Sequence, residues 1–167
     1  MLSNNTFEAP WSRSLKVTTF LCCLLLSIVF LFGALNNSVD SVAWEVSMKL
    51  VPLALLVITA FFSIKGYRIV ENRLFIQRVG WQSTVDLTEL QAIEVDPDAM
   101  RKSIRLFGNG GLFCFAGLFR NKRLGKYRAF ATNPRNAVVL RFPQRTVVVT
   151  PEEPESFAEA IEATRRH

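Results

Sequence analysis

The chain has 167 residues, a formal net charge of +6 and a mean hydropathy of +0.22, and half of its residues are hydrophobic. This length suits one modest domain with additional segments, and the hydropathy is high for a domain that lies wholly in water. Two of the three cysteines are adjacent in an apolar run and the third lies in an apparent strand, so their spacing predicts neither a disulfide framework nor a metal site.

The excess hydropathy is concentrated in two runs near the N-terminus. Residues 17–35 carry no charge and, at about 1.5 Å per residue, are long enough to cross a bilayer core of about 30 Å. Residues 46–64 form the second run, in which Lys49 near the helix end can extend to the headgroups. A signal peptide and a buried core helix are the alternatives, but the length of the first run and the short connection favour a transmembrane hairpin.

The flanking charges predict the orientation of this hairpin. The segments before the first run and after the second carry Lys and Arg, whereas the connecting loop carries none. Because positively charged flanks stay inside, we expect a cytoplasmic N-terminal arm (1–16), an external loop (36–45) and a cytoplasmic domain (65–167) at the inner membrane. Trp11 and Trp44 suit the aromatic belts at the two membrane surfaces.

Downstream of the second run the pattern changes to short alternating segments. Residues 67–79 read as two strands around a turn, with Leu74, Ile76 and Arg78 on one face of the second strand. Similar strand signals recur every 8 to 12 residues or so, and residues 150–167 read as an amphipathic helix with acidic residues at its start. We therefore expect an α+β, mainly β domain: an antiparallel barrel or sandwich of about seven strands, capped by a C-terminal helix.

The stretch GNGGLFCFAGLFRNKRLGK, residues 108–126, combines glycines, phenylalanines and basic residues. A phosphate-binding loop would need a G-x-x-x-x-G-K-[ST] run between a strand and a helix, and this stretch has neither that ending nor a helical pattern after it. The simpler interpretation is structural. Gly108, Gly110 and Gly111 would form a turn, and Gly117 would permit a bulge or a close approach of two backbones.

Charge is distributed very unevenly along the domain. Between Asp98 and Glu152 there are eleven lysines and arginines and no acidic residue, and such a one-signed surface attracts anionic partners. Three interpretations stay open: a basic face that is only solvated, contact with anionic lipid headgroups, and contact with an acidic partner protein. Nucleic acid is less favoured because no recognised binding module is present. The contact residues that we predict are Arg101, Lys102, Arg105, Arg120, Lys122, Arg123, Lys126 and Arg128.

The sequence offers little for catalysis. The only histidine is the last residue, His167, so no serine has an evident histidine base. The carboxylates of Asp96 and Asp98 flank a proline, which is typical of a solvated turn. We therefore expect no catalytic residues and no cofactor.

Several segments together resemble the bacterial pleckstrin-homology (PH)-like domains. GYRIVENRLFIQR resembles their opening strands, and VDLTELQAIEV resembles the segment that follows. RLFGNGGLFCFAGLFRNKRLGKYRAFATNPRNAVVLRF is similar to their central signature, and VVVTPEEPESFAEAI to their closing strand and helix. The resemblance covers about residues 66–165. It implies a PH-like fold and a membrane setting, since such domains commonly follow one or two membrane helices, and it implies no catalytic residues.

Two functions are compatible with these observations. The first is a membrane-anchored, non-enzymatic binding or scaffolding module that presents a basic face to anionic lipid headgroups or to an acidic partner protein. The alternative is a subunit of a membrane protein complex that acts through its transmembrane helices, with a PH-like domain that is only structural.

Overall fold

The computed structural model describes residues 5–36 and 41–165. Residues 1–4, 37–40 and 166–167 are outside the described residues, and with them part of the predicted external loop and the only histidine. The helices are α1 (Arg13–Leu35), α2 (Val42–Phe61) and α3 (Pro154–Arg165). The strands are β1 (Asn5–Glu8), β2 (Ile64–Val70), β3 (Arg73–Arg78), β4 (Gln82–Asp86), β5 (Ala92–Val95), β6 (Ile104–Gly110), β7 (Phe115–Asn121), β8 (Gly125–Ala131), β9 (Val138–Arg141) and β10 (Thr146–Val149).

Helices α1 and α2 are long and apolar enough to cross a membrane, and few of their side chains are buried within the chain. The hydroxyl of Ser12 caps α1 by accepting a backbone N–H of its first turn. The two helices pack closely where Gly33 meets Met48, because a Cβ atom at Gly33 would overlap the Met48 side chain. In α2, a π-helical turn at Val46–Leu50 precedes Pro52, which cannot donate the usual helical hydrogen bond.

The second helix is displaced along the chain relative to the prediction of residues 46–64. It begins at Val42 and ends at Phe61, and Ile64 already belongs to β2. The side chain of Ile64 is only 1% exposed because it fills the core of the domain. Its apolar character therefore reflects the start of the sheet and not the continuation of the helix.

The strands form two sheets. The first has the order β1-β2-β3-β4 and the second the order β5-β9-β10-β8-β7-β6. All neighbouring strands are antiparallel except β8 and β10, which are parallel. Within the described ranges the sheets do not close into a barrel. The predicted fold class is confirmed, with two helices followed by a strand-rich domain and a C-terminal helix, although the described residues form ten strands where about seven were expected.

The predicted N-terminal arm contributes the first strand of the domain. β1 pairs with β2 so that Phe7 lies opposite Tyr67, and the Phe7 ring packs edge-on against Phe157 of α3 at 5.1 Å. The backbone N–H of Glu152 donates to the carbonyl of Glu8 at 2.9 Å. The chain thus forms β1, then the helices α1 and α2, and then β2, β3 and β4, which complete the sheet that β1 begins.

The main core lies between the two sheets and α3. Alternating residues of the strands, such as Ile76, point into it together with Phe157 of α3. The buried hydroxyl of Tyr67 donates to the carbonyl of Phe130 at 2.6 Å, and burial raises the pKa of Tyr67 to about 12. A smaller cluster around Tyr127 lies on the other face of the second sheet.

Candidate functional site

The two sheets separate between β4 and β6–β8 and leave a cavity of about 810 Å³, which we call the cleft. The last turn of α2 forms one wall, and β3, β4 and β6–β8 form the others. Its volume is within the range of about 300–1,000 Å³ that is common for ligand pockets. The side chains that define its chemistry are Ile58, Arg78, Arg105, Phe107, Leu118 and Arg128.

Strand register brings apolar and basic side chains together on one face. Leu118 of β7 lies directly opposite both Phe107 of β6 and Arg128 of β8. Residues that are opposite each other in antiparallel strands project to the same side of the sheet. Phe107 is 76% exposed and Leu118 is 45% exposed, so the apolar part of this wall is open. The cleft therefore combines uncovered apolar surface with guanidinium groups.

Arg78 is the most buried charge of the cleft. Because side chains alternate between the two faces of β3, Arg78 lies on the same face as Ile76, and the residue is only 7% exposed. Its Nη1 donates to the carbonyl of Phe62, just beyond the end of α2, at 2.7 Å, and its guanidinium lies 4.6 Å from the centre of the Trp81 ring. Desolvation by burial lowers the pKa of Arg78, Cys114 and Tyr67 oppose this shift, and the positive charge of Arg128 adds a smaller lowering, but an arginine stays charged.

The described part of the cleft has no acidic counterpart to these charges. None of the residues that line it is Asp or Glu. Arg78, Arg105 and Arg128 form no ion pair with a carboxylate of the described ranges, and the buried Nε of Arg78 has no hydrogen-bond partner there. Buried charges in proteins are normally paired with an opposite charge. Because no described carboxylate pairs with these three arginines, the electrostatic potential inside the cleft is strongly positive.

A second cavity, of about 280 Å³, adjoins the cleft. The two share Leu118 and Arg128, and the second adds Lys126 and Arg145. The positive potential therefore extends along β8, away from α2.

The predicted basic contact residues fall into two groups. One end of the β6–β7 hairpin lies at the helices, because the turn after β6 contacts α1: the backbone N–H of Phe113 donates to the hydroxyl of Thr19 at 3.1 Å. From Phe115 to Arg120, β7 runs five residues away from this contact, which corresponds to about 17 Å. Only Arg105 and Arg128 line the cleft. The others lie at the far end of the strands, which we call the distal end: Arg101, Lys102, Arg120, Lys122, Arg123 and Lys126.

Part of the distal end is neutralised by acidic residues. Arg123 contacts Asp96 at 2.9 Å and Glu94 at 3.5 Å. Arg101 is 3.9 Å from Asp98, but both side chains are largely exposed and such pairs contribute little. The cations of the distal end that form no ion pair with a described carboxylate are Lys102, Arg120, Lys122 and Lys126.

The glycines serve the packing of β6 against β7. Gly108 and Gly117 lie opposite each other with φ angles of +102° and +146°. A Cβ atom at Gly117 would overlap the carbonyl oxygen of Phe107, so the two backbones approach more closely than side chains would allow. Gly110 also lies within β6, and the turn begins at Gly111. The close-approach interpretation of Gly117 therefore agrees with the geometry, whereas Gly108 lies in a strand and not in the turn.

Arg78 was not among the contact residues predicted from the sequence, although the alternation of β3 put it on the same strand face as Ile76, which is a buried position. A charged residue at an inward-facing position of a strand is uncommon and was the available signal.

Comparison with known proteins supports the resemblance drawn from the sequence. The family model described as "Bacterial PH domain" matches residues 65–165, which is more than half of the chain. No curated protein and no solved structure matches the chain. PH domains are generally non-catalytic binding modules. With this match, the two-sheet domain and its C-terminal helix, the chain belongs to the bacterial PH domain family.

Proposed function

We propose that the protein is a membrane-anchored, non-enzymatic binding module that holds an anionic ligand in the cleft, on the cytoplasmic side of the inner membrane. The observation that carries this proposal is the charge of the cleft: three arginines line it, and no described lining residue is acidic. Guanidinium groups pair readily with carboxylates and phosphates, so an anion would supply the missing counter-charge.

Membrane anchoring is supported by the surface of the two long helices. Their large apolar side chains are mostly exposed in the isolated chain, an amount of apolar surface that soluble proteins rarely present. Lys and Arg flank the two helices on the side of the domain, which favours a cytoplasmic domain. Because β1 pairs with β2, the segment before α1 lies on the same side as the domain.

The domain is joined to the helix ends by specific contacts. The indole Nε1 of Trp81 donates to the carbonyl of Phe61 at 2.9 Å, and Arg78 donates to the carbonyl of Phe62. A positive side chain at a helix C-terminus also complements the helix dipole. These contacts support a cleft that lies next to the bilayer surface, where α2 leaves the membrane.

The proposal predicts that anionic lipid stabilises the full-length protein. In nanodiscs that contain phosphatidylglycerol, the midpoint of thermal unfolding should be several degrees higher than in phosphatidylcholine nanodiscs. A ligand at about 100 times its Kd stabilises the native state by about 2.7 kcal/mol, and each kcal/mol corresponds to about 4–8 °C for a domain of this size. Added salt should reduce the difference because it screens the charges. Equal midpoints in the two lipids at low salt would contradict the proposal.

An acidic partner protein is a second candidate, and the distal end favours it. Arg120, Lys122 and Lys126 are exposed and form no ion pair with a described carboxylate. A photo-crosslinking residue at position 122 of the full-length protein should give a discrete product in native membranes. The reversals Arg120→Glu and Lys126→Glu together should abolish that product, because they replace attraction by repulsion.

The matched control places the same crosslinker at Glu155, an exposed position of α3. This position should not give the same product. A product at position 122 that survives the double reversal would exclude an acidic partner at the distal end.

A further inference from the structure

We propose that the cleft binds the phosphate headgroup of a single anionic phospholipid, which enters sideways from the bilayer along α2. This inference rests on the proposed membrane anchoring and anion binding, and it names the ligand class of that same site. It assigns the phosphate to Arg78, Arg105 and Arg128, and the upper part of the acyl chains to the apolar surface next to them.

The arginines are arranged to receive a phosphate. Arg78 is held by the carbonyl of Phe62 and by the Trp81 ring, so little side-chain freedom remains to be lost on binding. Arg105 reaches the carbonyl of Gly108 through Nη1 alone, at 3.2 Å. Among the described residues Arg128 contacts the Phe130 ring and no hydrogen-bond acceptor, so its N–H groups stay available. A planar guanidinium can donate two parallel hydrogen bonds to phosphate oxygens, and three of them surround this cavity.

The apolar wall distinguishes a lipid from a soluble anion. Ile58 of α2 lines the cleft and is 55% exposed, so the cavity is continuous with the helix surface that would face the acyl chains. Phe107 and Leu118 continue this apolar surface beside the arginines. A free phosphate would leave these side chains in water, whereas a phospholipid would cover them and gain the free energy of their burial.

The charge of the cleft also selects among phospholipids. A zwitterionic headgroup would bring its own cation next to three arginines, with no described carboxylate in the lining to receive it. An anionic headgroup such as that of phosphatidylglycerol avoids this repulsion. We therefore expect a clear preference for anionic over zwitterionic lipid.

Native mass spectrometry of the delipidated full-length protein in neutral detergent tests the inference. Addition of dioleoyl-phosphatidylglycerol should give one bound lipid per chain, and dioleoyl-phosphatidylcholine should bind at least about tenfold more weakly. The double variant Arg105→Gln with Arg128→Gln should lower the apparent affinity for phosphatidylglycerol by at least about tenfold, since each lost charged hydrogen bond weakens binding substantially.

The matched control removes the same charge from the distal end. Arg120→Gln with Lys122→Gln should bind phosphatidylglycerol within about twofold of the original protein, because neither residue lines the cleft. An equal loss of affinity in both double variants would overturn the inference, since it would show a general charge effect. Arg78→Gln is a third variant, and it should also lose lipid binding, provided that its thermal unfolding shows that it folds. If Arg78→Gln does not fold, the Arg105→Gln and Arg128→Gln double variant still decides the outcome.

Competition separates a lipid from a soluble anion. Inorganic phosphate and glycerol phosphate, at concentrations well above that of the lipid, should fail to displace phosphatidylglycerol. Displacement at equal concentration would reassign the cleft to a free anion and overturn the lipid assignment. Displacement by a soluble anion, combined with weaker anion binding by the Arg105→Gln and Arg128→Gln double variant, would overturn this inference and leave the proposed function intact, because the cleft would still bind an anion. Unchanged lipid binding by that double variant would remove both. The absence of any anionic preference would remove both.

Discussion

Replacement of Gly117 by alanine should lower the midpoint of thermal unfolding of the full-length protein by at least about 10 °C. The new Cβ would overlap the carbonyl oxygen of Phe107 and lie 2.8 Å from the Cα of Gly108. These neighbours are backbone atoms, so the overlap cannot be relieved by a change of rotamer. Strain at a φ of +146° and overpacking together correspond to about 3–5 kcal/mol. Unfolding in mild detergent micelles, followed by tryptophan fluorescence, measures the change.

Gly125 provides the matched control for this variant. It also has a positive φ, +66°, but no atom lies within 4 Å of the position of an added Cβ. Gly125→Ala should therefore cost only the backbone strain, about 1–2 kcal/mol. If the two variants unfold at the same temperature, the close approach of β6 and β7 at Gly117 does not limit stability.

Truncation of Phe7 to alanine should destabilise the domain although this residue precedes both long helices in the chain. The Phe7 ring is partly buried against Phe157 at 5.1 Å and lies on the strand that pairs with β2. Loss of the ring should cost about 2 kcal/mol, which corresponds to a decrease of about 8 °C or more in the unfolding midpoint of the full-length protein. The same fluorescence measurement applies.

Thr6→Ala is the control for the N-terminal strand. Thr6 is exposed on the opposite side of β1, so its truncation should change the free energy of unfolding by less than about 0.5 kcal/mol. An unfolding midpoint for Phe7→Ala that equals that of Thr6→Ala would show that β1 is not part of the folding unit. The expected difference also implies that a fragment beginning at residue 66 lacks one strand of its sheet.

Arg78 shows why the site could be predicted only in part. Its alternation with Leu74 and Ile76 is local and could be read from the sequence, and the structure puts this face of β3 on the buried side. The groups that surround Arg78 are far from it in the sequence: the carbonyl that accepts its hydrogen bond belongs to Phe62, 16 residues earlier, and the nearby charge of Arg128 is 50 residues later. A local sequence pattern cannot predict that these residues lie together, because their proximity depends on how the sheets pack.

The basic segment illustrates the same limit. A run of eleven cations without an acid was evident from the sequence and indicated a polarised surface. The register of β6–β8 puts Arg105 opposite Phe119 and Arg128 opposite Leu118, close to Arg120 along the strands, yet Arg105 and Arg128 line the cleft and Arg120 does not. Which cations line the cleft therefore depends on strand pairing and side-chain direction, neither of which follows from the charge of the segment. Arg123 is neutralised by Asp96, which sequence order does not predict.

The sequence by itself determined the two membrane-length helices, the strand-rich domain with its C-terminal helix and the PH-like resemblance. Each of these depends on short-range features: apolar length, period-two alternation, and cap and turn residues. Only the tertiary structure decided that β1 joins the sheet, that the sheets separate to leave the cleft, and that Arg78 lies there with no described carboxylate beside it. These features arise from contacts between residues far apart in the chain, and packing of the whole domain selects them.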